Sequence, residues 1–204
     1  MNAREPGAMG ARSVRGGSAV DVTAPGYGPL RSVGDVDGRH TRAMDDITIR
    51  PGEPGDAEAI AAYHHRCSII AFSDIVTSGT FDDLDSRRRV PTFTEWLRPD
   101  SAMTVRVAEI HGTAVGHVAV EGNEIVHLFI DPDHAGRGLG RRLLAVGETL
   151  LAEAGHDSFE LHTIVGNRPA IGLYESAGWV VTDRLIHSEH DGLVYDEHVL
   201  VKHP

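Results

Sequence analysis

Cysteine is almost missing from this chain of 204 residues: there is one, Cys67. No intrachain disulfide can form, and no cysteine-based zinc site can be built. Long apolar runs are missing too. None approaches the roughly 18 residues that a membrane-spanning helix needs. No apolar stretch follows the basic residues near the N-terminus, so it does not read as a secretory signal. A reducing, cytoplasmic location is the expectation. Positive charge is also scarce, with 19 Lys and Arg against 30 Asp and Glu and a formal net charge of −11. A general nucleic-acid binder needs clustered cations for its phosphate contacts, so that class is disfavoured. What is present is an ordinary globular mixture, 41% hydrophobic and 24% charged. The length suits one domain with an appendage.

Residues 1–43 carry six Arg against four acids, and eight of the 23 glycines. Few of their residues are large and apolar, and no periodicity is sustained. Such a segment cannot bury enough surface to offset its ordering entropy, and a disordered leader is expected. A mitochondrial presequence is the competing reading, but the acids and the Gly and Pro breaks make a poor amphipathic helix. Met44 is a candidate start, which would make the leader an extension. The domain is expected over 44–204, where 13 basic face 26 acidic residues. That acidity could attract a cationic amine, although a solubility role is the plainer reading.

Organisation begins at Asp46. Ile47 and Ile49 alternate with polar residues as in a half-buried strand. Asp56 is a candidate N-cap for a helix over 57–66. A short helix is expected near 81–89, ended by Pro91, and Thr92 with Glu95 has the form of a capping box for a short helix holding Trp96 and Leu97. Three strands follow over 103–110, 114–120 and 124–130, with turns at His111, Gly112 and at Glu121, Gly122, Asn123. A helix over 138–154 places Leu139, Leu143, Val146, Leu150 and Ala154 on one face, and Gly155 closes it. A strand over 158–164, a helix over 167–177 and an antiparallel pair over 178–186 and 193–201 complete the chain. One meander plus one strand–helix–strand unit excludes a doubly wound dinucleotide fold and implies a mixed α+β class.

The loop Gly136, Arg137, Gly138, Leu139, Gly140, Arg141 joins a strand to a helix. Glycines admit positive φ and close approach of a ligand, and a helix start offers unpaired N–H groups, so the segment suits a phosphate or pyrophosphate. Its spacing is neither that of a Rossmann turn nor that of a P-loop, and a packing turn would read the same way. One strand later come Asn167, Ala170, Tyr174, Gly178 and Trp179. Together the two segments resemble the two hallmarks of the GNAT superfamily, the GCN5-related N-acetyltransferases, over about 46–202. Ala135 stands where the first hallmark has Arg or Gln, and Arg137 or Arg141 would supply the charge.

The resemblance implies a central, mostly antiparallel twisted sheet flanked by helices, with a splayed parallel strand pair forming the acetyl-CoA cleft. It implies acetyl-CoA as co-substrate, with the backbone of Leu128, Phe129 and Ile130 pairing to its arm and the amides of 136–141 on its pyrophosphate. Asn167 would steady that arm. A backbone N–H of the 124–130 strand would polarise the thioester carbonyl. Tyr174, with an ordinary pKa near ~10, can give a proton to the departing thiolate. Glu124 and His162 are alternative bases for the amine, and His127 is a third. His187, His190 and the adjacent His64 and His65 read as ordinary histidines, Cys67 as a small core residue, and no metal is expected. The expected function is acetyl transfer to a primary amine of unspecified identity. A non-catalytic acyl-CoA-binding regulatory module is the alternative. An enzyme acting on charged tRNA is disfavoured by the acidity. A homodimer is left open, and neither nucleic acid nor membrane is an expected partner.

Overall fold

The computed structural model describes residues 47–72, 85–190 and 193–204. The expected leader, Met44, and the first part of the expected helix near 81–89 lie outside the described residues. Strand β1 (Ile47–Pro51) runs antiparallel to β2 (Thr104–Ile110). Asp56 does not act as a simple helix cap. It ends a 3-10 turn, Pro54–Asp56, and its carboxylate takes the Glu53 N–H at 2.9 Å and two Arg50 nitrogens at 2.8 Å. A charged partner from the strand competes successfully for the oxygens, since a bidentate guanidinium bond is stronger than a neutral cap.

Helix α1 (Ala57–Phe72) outruns the expected 57–66 because its second half packs Cys67, Ile69, Ile70 and Ala71 on the core and its polar side chains find partners. Arg66 reaches Asp131 at 2.7 Å, Cys67 donates to the Ile130 carbonyl at 3.2 Å, and Ser68 donates to the His64 carbonyl at 3.0 Å. Pro91 opens α2 (Val90–Trp96) and does not end a helix. The 3-10 turn Ser86–Arg89 runs straight into it, and a first-turn proline lacks only an N–H that would have no helical partner. Thr92 makes no cap.

The meander appears as expected, β2 to β3 (Thr113–Glu121) to β4 (Glu124–Ile130). His111 and Gly112 hold φ of 49° and 79°, the paired positive values of a tight hairpin turn. Helix α3 (Leu139–Glu153) buries Leu139, Leu143, Leu144, Gly147 and Leu151, a face rotated from the expected stripe. Val146 and Leu150 flank it. Gly147 explains the rotation. A Cβ there would stand 2.9 Å from Val118 Cγ2 and 3.1 Å from Ile125 Cδ1, so the helix backbone closes on the sheet at this point. Gly155 (φ 88°) ends the helix as expected, with its N–H on Ala152 and that of His156 on Leu151, the paired bonds of a Schellman turn.

Next come β5 (Phe159–Ile164), α4 (Arg168–Ser176), β6 (Val180–His190) and β7 (Leu193–Lys202). The seven strands lie in the order β1-β2-β3-β4-β5-β7-β6, so the last strand inserts beside β5. Among the described residues every pairing is antiparallel except β4 with β5. One core, with Val118, Leu128, Leu143, Phe159 and Trp179, lies between the sheet and α3 and α4. A second, with Ile60, Phe93, Val107, Phe129 and Ile164, lies under α1 and α2. No described helix is long and apolar enough to cross a membrane.

Candidate functional site

β4 and β5 are in register at Glu124 with Glu160 and at Ile125 with Leu161, and no further pair is formed among the described residues. The sheet is therefore open between them from that level onward. At the same level β4 carries a bulge. His127 faces Ala119 and Ile125 faces Val120, so Val126 is the extra residue. Past the bulge the Asp131 N–H bonds to Val115 of β3 at 2.8 Å. Backbone groups alternate sides along a strand, so Ile130 and Leu128 turn theirs to the open edge and Phe129 turns its own to β3. The Ile130 carbonyl already takes the Cys67 thiol. Leu128 and Ile130 send their side chains toward α3, and Phe129 sends its ring under α1.

The glycine loop lies at the end of this opening. A pocket of about 220 Å³ is lined there by Ile130, Gly136, Gly138, Gly140, Arg141 and Leu173, among others. Gly136 and Gly138 hold φ of 73° and 72°, and a Cβ on either would meet open space. These glycines therefore serve backbone conformation, not packing. Gly138 starts α3, and the first-turn amides of Leu139, Gly140 and Arg141 have no partner within the helix. Arg141 donates to Ser176 Oγ at 2.8 Å and ties α3 to α4 over the pocket, whereas Arg137 is exposed. Asn167 caps α4, its Oδ1 accepting the Ala170 N–H at 3.3 Å. Its Nδ2 is buried with no partner among the described residues, and so is Thr163 Oγ1. Both belong to the stretch after β5 has left β4. Amides facing a pocket and an orphaned buried donor fit the pyrophosphate and amide arm of coenzyme A. Thr163 escaped notice in the sequence because a threonine in a strand is unremarkable.

Glu124 and His162, alternatives in the sequence, are neighbours in space. His162 Nδ1 lies 3.4 Å from Glu124 Oε1 and its Nε2 lies 3.0 Å from Glu160 Oε1. Arg184 holds the other Glu160 oxygen at 2.8 Å. Burial alone would raise the Glu160 carboxyl, but the bonds from His162 and Arg184 outweigh it and hold it below its ordinary value. Glu160 was missed, although its i, i+2 spacing to His162 on a strand could have marked it. Tyr174 is fully buried in the core between α4 and the sheet, and the neighbouring Leu173 forms the pocket wall. His127 is buried on the α1 side, away from solvent. His187 pairs with Asp196 of β7, a carboxylate that sequence spacing could not show. No cluster of three or more metal-type ligands occurs among the described residues.

Several solved structures share this fold. PaiA N-acetyltransferase of Thermoplasma acidophilum, in complex with coenzyme A, superposes with a TM-score of 0.64 at 16% identity, covering 78% of this chain and 99% of that one. YncA of Salmonella typhimurium, with its cofactor acetyl-CoA, superposes at 0.57 and 21% identity, covering 78% and 94%. Residues 59–179 match the Acetyltransferase (GNAT) family, and the chain belongs to it. Curated relatives include mycothiol acetyltransferases. That of Clavibacter sepedonicus is 39% identical over 102 residues, 49% of this chain and 32% of that protein. That of Thermobispora bispora is 34% identical over 149 residues, 66% of this chain and 47% of that protein. The chain thus spans less than half the length of these two relatives.

Proposed function

We propose that the chain is an acetyl-CoA-dependent N-acetyltransferase that acetylates a primary amine by direct attack. One observation carries this reading: β4 and β5 part after Ile125 and Leu161, and the parting leads to the glycine-lined pocket at the start of α3. When bound, acetyl-CoA supplies an acyl group activated as a thioester. The amides of Gly136, Arg137, Gly138, Leu139, Gly140 and Arg141 hold its pyrophosphate. The open-edge groups of Leu128 and Ile130 receive its arm as an added strand, and Asn167 Nδ2 donates to it. A backbone N–H at the β4 bulge polarises the acyl carbonyl.

The acceptor must attack as a neutral amine. Glu124 takes its proton, and His162, which faces carboxylates at both ring nitrogens, orients Glu124. Tyr174 gives its phenolic proton to the departing sulfur, a role supported by its place in the second family hallmark. The curated relatives are named for mycothiol, so small-molecule amines are the acceptors to screen first. The test is thiol release from acetyl-CoA across an amine panel, with native protein and Tyr174→Phe. Turnover that collapses in the variant supports the proposal. Coenzyme A binding with no thiol release from any amine would make the protein an acyl-CoA-binding regulatory module instead.

A further inference from the structure

Beneath α1 lies a buried chain of polar rings that the transfer reaction does not use. Tyr63 Oη is 2.7 Å from His117 Nδ1, and His117 Nε2 is 3.4 Å from His127 Nδ1. His64 stacks on His127 with ring centroids 5.4 Å apart, and Phe93, Trp96 and Phe129 surround them. Tyr63, His117 and His127 are each 1% exposed.

Proton bookkeeping gives this chain a direction. Burial pushes the Tyr63 phenol well above its usual range, so it keeps its hydrogen. That hydrogen has one hydrogen-bond partner among the described residues, His117 Nδ1, so Tyr63 donates and His117 accepts. Burial pushes the His117 imidazolium down to about 3, so the ring is neutral and its single N–H sits on Nε2. This N–H faces His127 Nδ1, which must then present a lone pair. A neutral His127 accordingly carries its hydrogen on Nε2.

We propose that Tyr63 and His117 are positioning residues that lock His127 as an Nε2–H donor on the acceptor side of β4 and withdraw it from proton abstraction. His127 adjoins the Val126 bulge. Its strand neighbour Phe129 and the His162 neighbour Ile164 share the α1-side core, so His127 and the Glu124–His162 pair occupy one face of the sheet. Taking a proton at Nε2 needs a lone pair that this tautomer lacks. A second proton at Nδ1 would oppose the His117 N–H. Only the acceptor-side location rests on the proposed acetyl transfer; the tautomer does not.

The test is long-range proton–nitrogen NMR of the ligand-free full chain labelled at histidine nitrogens, with assignments from His117→Gln and His127→Gln. Both residues are expected to show the Nε2–H pattern. Tyr63→Phe removes the directing hydroxyl, and His117 is expected to become a mixture of tautomers while the backbone spectrum is kept. An Nδ1–H pattern at either histidine in the native protein would overturn the proposal, as would a Tyr63→Phe spectrum with both tautomers unchanged. In the active enzyme, His127→Gln is expected to keep the acidic limb of the pH–rate profile, and loss of that limb would count against the inference. Tautomers are read without substrate, so their failure and the failure of acetyl transfer are separate results.

Discussion

His117 makes the fold sensitive to acid. Its folded pKa is about 3, while an unfolded histidine titrates near ~6.5. Below that value the unfolded chain binds more protons, so stability is full above about pH 6.5 and declines as pH falls toward 3. The slope from this residue is on the order of 1.4 kcal/mol per pH unit. Asp56 and Glu160 are held below their ordinary values, so their contributions are fully present above the ordinary carboxylate range, near ~4, and are lost only as pH falls through it. Urea unfolding between about pH 7 and pH 5 stays above the carboxylate range, and comparison with His117→Gln separates this residue from the other histidines. A falling midpoint is expected, with a flatter dependence in His117→Gln. For the proposed general base, Glu124→Gln is expected to lower kcat by roughly 10²-fold or more, the scale of general base catalysis, with coenzyme A affinity kept. Steady-state thiol release beside calorimetric binding separates the two quantities.

Two glycines set the geometry of α3, by different means. Gly147 is a matter of space: Gly147→Val forces a branched side chain against Val118 and Ile125, and a loss of about 1–3 kcal/mol is expected in denaturant unfolding. Gly138 is a matter of backbone: at φ 72° with open space around it, Gly138→Ala adds roughly 1–2 kcal/mol of strain. Its larger effect is expected on coenzyme A affinity, read by titration calorimetry, because relaxing the strain would turn the first-turn amides. Elements written in local signals were legible in the sequence. Strand 124–130 has clear turns on both sides, Gly155 closes α3 where a positive φ is required, and the strand–glycine–helix order exposes the pocket. Features decided by distant partners were not legible. Asp56 answers to Arg50 and Thr92 loses its cap to a continuous turn. Glu124 meets His162 only because β4 and β5 align. The insertion of β7 between β5 and β6 depends on pairing across the whole sheet, and no short window of residues carries that information.

As a whole the molecule is two sheet segments, β1 to β4 and β5 with β7 and β6, joined edge to edge at the Glu124 and Ile125 level. Side chains brace the join from the α3 side: Glu148 accepts from the Trp179 indole and from Lys202, both at 2.7 Å, and Arg141 reaches Ser176. A ligand lying between β4 and β5 would bridge both segments. At a hundredfold excess over its Kd, coenzyme A is expected to stabilise the fold by about 2.7 kcal/mol. Hydrogen exchange at the Leu128 and Ile130 amides should slow at the same time. Stabilisation without that protection would mean that the ligand sits elsewhere. The scarcity of cysteine acquires a practical meaning here. Cys67 is the sole sulfhydryl, fully buried and bonded to the Ile130 carbonyl on the same open edge. A colorimetric reagent for released coenzyme A therefore meets almost no protein background. Labelling of Cys67 requires its contact between α1 and β4 to open, so its rate is expected to report that opening with no engineered probe.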